Sequence, residues 1–200
     1  KNWYGNSYRG LTSLREAMAQ SMNVIAVKTL NDVSPKIGYD YLLNLGFTTL
    51  VDNYTSQDGK TYTDISLPLA LGGLTKGVTN LELTNGFATI ANQGLYHPAF
   101  FYTKIVDHDG NVLLDNTMNT DTRQVMKEST AWLLTSAMED VILKGTGSRL
   151  KFKKINMPQA GKTGTSTGNR DLWFVGYTPY LTAGIWGGYD SGQKQTSLTY

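Results

Sequence analysis

Two short groups of polar residues have types and spacing that suit the binding of an extended peptide and its carboxylate. The first group stands at the start of a predicted edge strand and consists of Lys162, Thr163, Gly164 and Thr165. A lysine there offers a fixed cation for a carboxylate, and the glycine lets a ligand backbone approach the strand closely. The exposed edge can hydrogen-bond an extended peptide. Taken alone, so short a motif favours an ordinary strand with a surface lysine.

The second group interrupts a helical pattern and reads Ser21, Met22 and Asn23. At a break between two helical pieces, a hydroxyl and an amide can project into a cleft instead of packing into the core. A serine that only caps a helix is the structural alternative. Considered together, the two groups favour a functional site over either structural alternative.

Other matches to chemical motifs fail on their context. A P-loop needs a glycine where Asn156 stands, and the GxSxG pattern of residues 164–168 lacks the following helix that a nucleophile elbow requires. His108 is predicted to be a solvated turn residue, and His97 is no better a candidate. With two histidines and no cysteine, the chain is poorly equipped for a Ser-His-Asp triad, a cysteine nucleophile or a thiolate metal site.

The composition of the chain limits its partners. It has 200 residues, enough for a well-formed core without a metal or a disulfide, and a net charge of +2. So small a charge, without a basic stripe, argues against nucleic acid as a partner. No apolar run approaches membrane-spanning length, and residues 1–10 lack a signal peptide, so any membrane anchor is expected outside this chain.

Periodicity and capping signals predict five helical pieces, the first of which begins with an SxxE capping box. They are residues 13–20, 24–30, 34–46, 79–94 and 127–143. Residues 51–66 have no apolar period and are predicted to form a long surface loop.

The strand patterns come mostly at the end of the chain. A hairpin with an Asp-Gly turn is predicted over residues 100–114, and an antiparallel meander over residues 159–166, 172–177 and 181–189. Helices first and strands last predict an α+β fold. We expect one partial domain, with a mainly helical part in residues 1–150 and sheet strands in residues 151–200.

Nearly the whole chain resembles the transpeptidase domain of penicillin-binding proteins, specifically the bifunctional class A enzymes. Beyond SMN and KTGT, the resemblance rests on LREAMAQSMNVIAV, LPLALGGLTKGVTNLELTNGFATIANQG and AGKTGTSTGNRDLWFVGYTPYLTAGIWGG. Matches of this length in this order are far more specific than the short motifs. The resemblance implies a β-lactamase/transpeptidase-like fold, in which a helical subdomain packs on an antiparallel sheet. The family uses SxxK, SxN and KTG motifs, and its nucleophile is the serine of SxxK.

One family motif is missing where it is expected. Nothing before Ser21 fits SxxK, and the match at residues 148–151, which lies between SxN and KTG, is predicted to be a solvated basic turn. The family's C-terminal helix is not found before Tyr200 either. We therefore expect an internal fragment that lacks the nucleophile and is covered by other segments of its parent protein.

The resemblance implies that the parent enzyme attacks the D-alanyl-D-alanine end of a peptidoglycan stem peptide and forms an acyl-enzyme. An amine of a neighbouring strand then takes the acyl group. The family pattern gives proton relay to Ser21, alignment of the SxxK lysine and the substrate amide to Asn23, and a positive potential to Lys162. Its substrate-binding strand corresponds to Thr163, Gly164 and Thr165.

The same resemblance implies covalent inhibition by β-lactam antibiotics, no cofactor and no metal. It places the enzyme in the bacterial cell envelope, at the outer face of the cytoplasmic membrane. A glycosyltransferase domain and an N-terminal membrane anchor are expected in the absent part of the parent protein.

Two alternatives remain open. A non-catalytic module that recognises or senses cell-wall peptide would suit the aromatic residues, such as Trp3, Tyr4, Tyr8, Trp173 and Tyr177, although aromatics in strands are more often core residues. A β-lactamase-like hydrolase would need a deacylating general base, and the sequence places no carboxylate for that role.

Overall fold

The computed structural model describes residues 8–117 and 121–189. The helices in these ranges are α1 (Leu14–Ala19), α2 (Asn23–Val33), α3 (Pro35–Asn44), α4 (Asn80–Ala91) and α5 (Glu128–Leu143). The strands are β1 (Tyr54–Thr55), β2 (Thr61–Tyr62), β3 (Leu95–Tyr96), β4 (Lys104–Val106), β5 (Val112–Asp115), β6 (Arg123–Gln124), β7 (Ala160–Thr165), β8 (Asp171–Tyr177) and β9 (Thr182–Gly188). Short 3₁₀ turns lie at Leu67–Leu71, Ser148–Leu150 and Thr167–Asn169.

The predicted helices are confirmed, with small shifts at their ends. α1 begins where the sequence predicts because Ser13 Oγ accepts a hydrogen bond from Glu16 N at 3.2 Å. α2 continues to Val33, beyond its predicted end. At the start of α3, Ser34 adopts a φ of 95° and its side chain makes no capping bond, so Pro35 in the first turn is the signal that the helix uses.

The strongest of these helix starts belongs to α4. Thr79 and Glu82 form the predicted capping box, and Glu82 Oε1 also accepts hydrogen bonds from Thr48 N and Thr48 Oγ1, both at 2.7 Å. Partial burial raises the pKa of the Glu82 carboxyl, but the hydrogen bonds from Thr79 and Thr48 outweigh it and hold the pKa at about 2. The ionised carboxylate therefore ties the start of α4 to the segment that follows α3.

Replacing Glu82 with Gln is expected to lower the free energy of unfolding at pH 7 by about 1–2 kcal/mol, because an amide cannot accept all of these hydrogen bonds. The folded pKa lies below the ordinary value of 4.5, so the stabilisation is full above pH 4.5 and is lost as the pH falls toward 2. Urea unfolding at pH 7 and pH 3 measures both effects. Glu128→Gln, in the exposed first turn of α5, is the matched control. An equal loss in both variants would contradict the anchoring role of Glu82.

The main sheet is an antiparallel meander of β7, β8 and β9, as the sequence predicts. In its register, Lys162 lies opposite Val175 and Thr163 lies opposite Phe174. Within the described residues β7 forms one edge of this sheet, so the Lys-Thr-Gly group lies on an edge strand. The mixture of helices with this antiparallel sheet confirms the α+β class.

Two helices pack on the sheet and join it to the rest of the chain. α5 packs against β7 and β8 through a core of Met138, Ala160 and Tyr177. α4 packs against β9, where Asn80 Nδ2 donates a hydrogen bond to Gly184 O at 3.2 Å. A Cβ atom added at Gly184 would lie 2.0 Å from Thr84 Oγ1, so a side chain at this position would displace that hydroxyl. The helical and sheet segments therefore share a core.

The structure partly corrects the loop predicted for residues 51–66. β1 and β2 form a small hairpin there, with Tyr54 opposite Tyr62. Asp64 is only 1% exposed, and its carboxylate accepts hydrogen bonds from Val51 N at 2.8 Å and Thr75 N at 2.7 Å. Two-residue strands show no alternation, and a buried aspartate resembles a solvated one in sequence, so the pattern alone could not reveal either feature.

The predicted hairpin is confirmed as β4 and β5, although β4 begins only at Lys104. Gly110 closes its turn with a φ of 85°, a conformation that favours glycine.

Candidate active site

The turn between α1 and α2 presents the Ser21 hydroxyl to β7. Met22 N donates a hydrogen bond to Ala17 O at 2.9 Å, and Ser21 N donates one to Met18 O at 3.1 Å. This pair of bonds is the usual way in which a helix ends on a glycine in the left-handed region. Ser21 occupies the place of that glycine with a φ of 51°. Because serine has a Cβ atom, this backbone conformation costs about 1 kcal/mol of folding free energy. Met22, 2% exposed, anchors the turn in the core.

Lys162 joins this turn to the sheet. Its Nζ donates hydrogen bonds to Ser21 Oγ at 2.7 Å and to Thr163 O at 2.8 Å. Ser21 and Lys162 are 141 residues apart in the chain. Burial lowers the pKa of Lys162 from 10.5 to about 8. An ammonium with such a pKa can attract an anion at neutral pH and exchange a proton with a neighbouring hydroxyl.

The residues after Lys162 are placed by contacts on both sides of β7. The hydroxyls of Thr163 and Thr146 are hydrogen-bonded at 2.6 Å. A Cβ atom added at Gly164 would lie 3.2 Å from Trp173 Cβ, so a side chain at this position would crowd the neighbouring strand. Thr165 ends β7 at the rim of the site.

A hydrogen-bonded corner fixes the chain just beyond Thr165. Ser166 Oγ donates to Asp171 Oδ2 and accepts from Asp171 N, both at 2.8 Å. The other carboxylate oxygen, Asp171 Oδ1, accepts a hydrogen bond from Trp186 Nε1 at 3.1 Å. Ser166 is thus part of a structural corner, which agrees with the prediction that the GxSxG match is accidental.

Two cavities meet on β7. The first, of about 620 Å³, lies between α1, α2 and the strand, and all the predicted site residues line it. They are Ser21, Asn23, Lys162, Thr163, Gly164 and Thr165. The second, of about 870 Å³, lies between α4 and the sheet, and its walls include Phe87, Trp173 and Trp186. Both are within the size range of ligand pockets.

The excluded candidates lie elsewhere. Ser148 is exposed in its 3₁₀ turn and lines a shallow depression with the basic residues Arg149, Lys151 and Lys153, which matches the predicted basic turn. His108 is exposed in the β4–β5 turn beside Asp109. Within residues 8–117 and 121–189, no group of His, Cys, Asp or Glu could hold a metal, and no helix is long and apolar enough to cross a bilayer.

The aromatic residues of the recognition alternative fall into different environments. Tyr177 is 7% exposed, and its hydroxyl is hydrogen-bonded to Thr135 Oγ1 at 2.8 Å, so it is a core residue. Tyr8 is fully exposed, whereas Trp173 lines the second cavity. Residues 3 and 4 lie outside the described residues.

Sequence reasoning did not single out Thr146 or Asp171. In the sequence, the flanking Gly145 and Gly147 indicate only the end of a helix, and Asp171 follows a turn in which polar residues are common. The glycines on both sides of Thr146 are the one available signal, since they mark a backbone that must pass close to its neighbours.

Comparisons with known proteins show the family to which the chain belongs. Residues 1–187 match the family described as penicillin binding protein transpeptidase domain. Penicillin-binding protein 1F of Bacillus subtilis is 34% identical over 198 residues, which are 98% of this chain and 26% of that protein. Penicillin-binding protein 1A of Clostridium perfringens is 35% identical over 197 residues, 97% of this chain and 27% of that protein. The chain thus spans about a quarter of the length of these relatives.

Solved structures give the same result for the fold. The PonA1 protein from Mycobacterium tuberculosis in complex with penicillin V aligns with a TM-score of 0.77 and 26% identity, over 94% of this chain and 50% of that one. Penicillin-binding protein 1A from Haemophilus influenzae aligns with a TM-score of 0.75 and 22% identity, over 96% of this chain and 32% of that one. The chain therefore belongs to the transpeptidase domain family of the class A penicillin-binding proteins.

Proposed function

We propose that this chain forms part of the active site of a D,D-transpeptidase, which cross-links peptidoglycan through a serine acyl-enzyme and is inhibited covalently by β-lactams. The observation that carries the proposal is the 2.7 Å hydrogen bond from Lys162 Nζ to Ser21 Oγ. It joins the SxN and KTG motifs of the family at the wall of an open cavity.

In this proposal Ser21 and Lys162 serve proton transfer. The nucleophile needs a base, and the leaving nitrogen needs a proton. Ser21 Oγ accepts a hydrogen bond from the Lys162 ammonium. Through this contact it relays a proton between Lys162, the SxxK lysine and the leaving nitrogen. The positive charge of Lys162 lowers the pKa of the SxxK lysine, which allows that lysine to act as a base. Asn23 aligns the same lysine and the substrate amide.

The strand β7 binds the substrate. The side chains of Thr163 and Thr165 bind the terminal carboxylate, and Gly164 allows the peptide backbone to approach the strand. The Thr165 amide supplies one donor to the developing oxyanion, and the amide of the nucleophilic serine supplies the other. Water in place of the acceptor amine gives carboxypeptidase activity.

We propose that the nucleophile comes from an SxxK segment of the parent protein outside this chain. Nothing before Ser21 fits that motif, and Ser148 is exposed among basic residues that share no cavity with Lys162. The other SxxK match, at residues 191–194, follows KTG in the chain, whereas the SxxK of the family precedes SxN. The open cavities on both sides of β7 leave room for a further segment beside Ser21 and Lys162. In this proposal residues 1–150 and 151–200 are the helical and sheet parts of one transpeptidase domain.

The proposal places the enzyme in the bacterial cell envelope, since the relatives are penicillin-binding proteins of bacteria. We propose that its active site faces outward from the cytoplasmic membrane, where peptidoglycan is cross-linked. The anchor and the glycosyltransferase domain belong to the parent protein, of which this chain covers only a part.

Turnover of a stem peptide ending in D-Ala-D-Ala tests the proposal. The parent protein is expected to release D-alanine and to transfer the acyl group to an added acceptor amine. Binding of the peptide without release of D-alanine would favour the recognition module. Rapid hydrolysis of penicillin without a lasting adduct would favour the β-lactamase-like hydrolase.

The lowered pKa of Lys162 predicts a pH dependence. Acylation by penicillin, which carries a carboxylate, is expected to weaken as the pH rises through about 8, because Lys162 then loses the charge that attracts this anion. The second-order rate constant of acylation between pH 6 and pH 10 measures the effect in the free enzyme. Lys162→Met is the control, and its profile should lack the step. A step that persists in this variant, or that lies near 10.5, would contradict the assignment.

A further inference from the structure

We propose that Thr146 is a positioning residue that sets the distance between the SxN turn and the KTG strand. This inference rests on the proposed function and adds a residue that its motifs do not include. Thr146 lies in the turn after α5, between Gly145 and Gly147. It contacts one motif through its backbone and the other through its side chain.

The backbone contact reaches the SxN turn. Thr146 N donates a hydrogen bond to Ala19 O at 3.1 Å, and Ala19 is the last residue of α1, two positions before Ser21. The approach leaves no space, because a Cβ atom added at Gly145 would lie 2.2 Å from Ala19 O. The end of α1 therefore rests directly on the turn that follows α5.

A second contact makes this support rigid. Arg15 of α1 donates hydrogen bonds to Ser136 O at 2.8 Å and to the carboxylate of Asp140 at 3.1 Å, both on α5. α1 is thus attached to α5 at its first turn through Arg15 and at its end through Thr146. A displacement of the turn after α5 must move the end of α1 and, with it, Ser21.

The side-chain contact reaches the KTG strand. The Thr146 hydroxyl is hydrogen-bonded to the Thr163 hydroxyl at 2.6 Å, and this bond selects one orientation of the Thr163 side chain. Thr163 O in turn accepts a hydrogen bond from Lys162 Nζ at 2.8 Å. One residue therefore holds both partners of the Lys162–Ser21 contact at their present separation.

Two substitutions distinguish the effect of the Thr146 hydroxyl from the effect of the volume of its side chain. Thr146→Val keeps the shape and the backbone bond to Ala19 but loses the bond to Thr163, whereas Thr146→Ser keeps the hydroxyl. Thr135→Val is the matched control, because the Thr135 hydroxyl makes a comparable bond to Tyr177 OH, away from the proposed site residues. Each variant is made in the full parent protein. The two readouts are acylation by a fluorescent penicillin and the χ1 rotamer populations of Thr163 from three-bond NMR couplings.

Thr146→Val is expected to slow acylation about tenfold and to spread Thr163 over several rotamers, which is the effect of losing one well-aligned hydrogen bond. Thr146→Ser should restore both readouts, and Thr135→Val should change neither. A wild-type Thr163 rotamer in Thr146→Val would overturn this inference, as would an equal loss of acylation in Thr135→Val. If the wild-type protein is not acylated by the fluorescent penicillin, that result would instead contradict the proposed function. The Thr163 rotamers would still decide the role of Thr146.

Discussion

Acylation by penicillin is expected to slow by about 100- to 1000-fold when Lys162 is replaced by alanine, the range typical of a lost group that stabilises transition-state charge. The substitution removes the cation that faces the cavity and the donor to Ser21 Oγ. The fold should remain intact. Burial disfavours the charged form of Lys162, so removing this ammonium relieves a cost of folding.

A comparison of two lysines makes this prediction specific. Lys153→Ala removes the same charge from the exposed basic turn and should acylate at the wild-type rate. Stopped-flow acylation gives the rates, and thermal unfolding checks that both variants are folded. A wild-type rate for Lys162→Ala, or the same loss in Lys153→Ala, would remove the case for a role of Lys162.

Loss of the Ser21 hydroxyl is expected to slow acylation by about 100-fold or more, the usual contribution of a positioned proton-transfer group. Substitutions of Ser21 by alanine and by glycine both remove the hydroxyl, but only glycine relieves the strain of the backbone. Ser21 has a φ of 51°, so Ser21→Gly should raise the free energy of unfolding by about 1 kcal/mol, whereas Ser21→Ala leaves the strain in place.

Both Ser21 variants should therefore lose acylation equally although their stabilities differ. Rates measured beside urea unfolding curves test this expectation. A Ser21→Gly variant that is acylated at the wild-type rate would show that the hydroxyl takes no part in proton transfer. If the more stable variant, Ser21→Gly, were also acylated faster than Ser21→Ala, Ser21 would have only a structural role.

The elements that the sequence predicts best are those with several local signals in agreement. The segment from Thr79 to Gly94 combines a capping box, an apolar face and a closing glycine, and α4 lies within it. The β4–β5 hairpin has its Asp-Gly turn, and the last three strands have short β-rich runs separated by turn residues. Local chemistry decides these elements, so the sequence is sufficient.

Residues 51–66 show where local signals are insufficient. The Asp64 carboxylate is buried because the amides of Val51 and Thr75 converge on it, and Thr75 is eleven residues away. No pattern around Asp64 indicates those partners. The burial of this polar residue depends on the tertiary structure alone.

The candidate site divides in the same way. Its motifs can be read in the sequence, and resemblance to a family indicates that they belong together. The sequence does not show that Lys162 Nζ meets Ser21 Oγ at 2.7 Å, because 141 residues separate them and their approach depends on how α5 packs on β7. The sequence does not reveal Thr146 for the same reason, since its importance lies in contacts with two distant segments.

Labelling of the parent protein with a fluorescent penicillin, followed by intact-mass analysis and peptide mapping of every polypeptide present, tests the central claim most directly. The account predicts one label on the serine of an SxxK segment outside these 200 residues, with this chain unmodified. In Lys162→Ala the label should appear much more slowly. A label on Ser148, or on any other serine of this chain, would contradict the view that this chain supplies only the SxN and KTG motifs. The absence of any label would contradict the transpeptidase proposal itself.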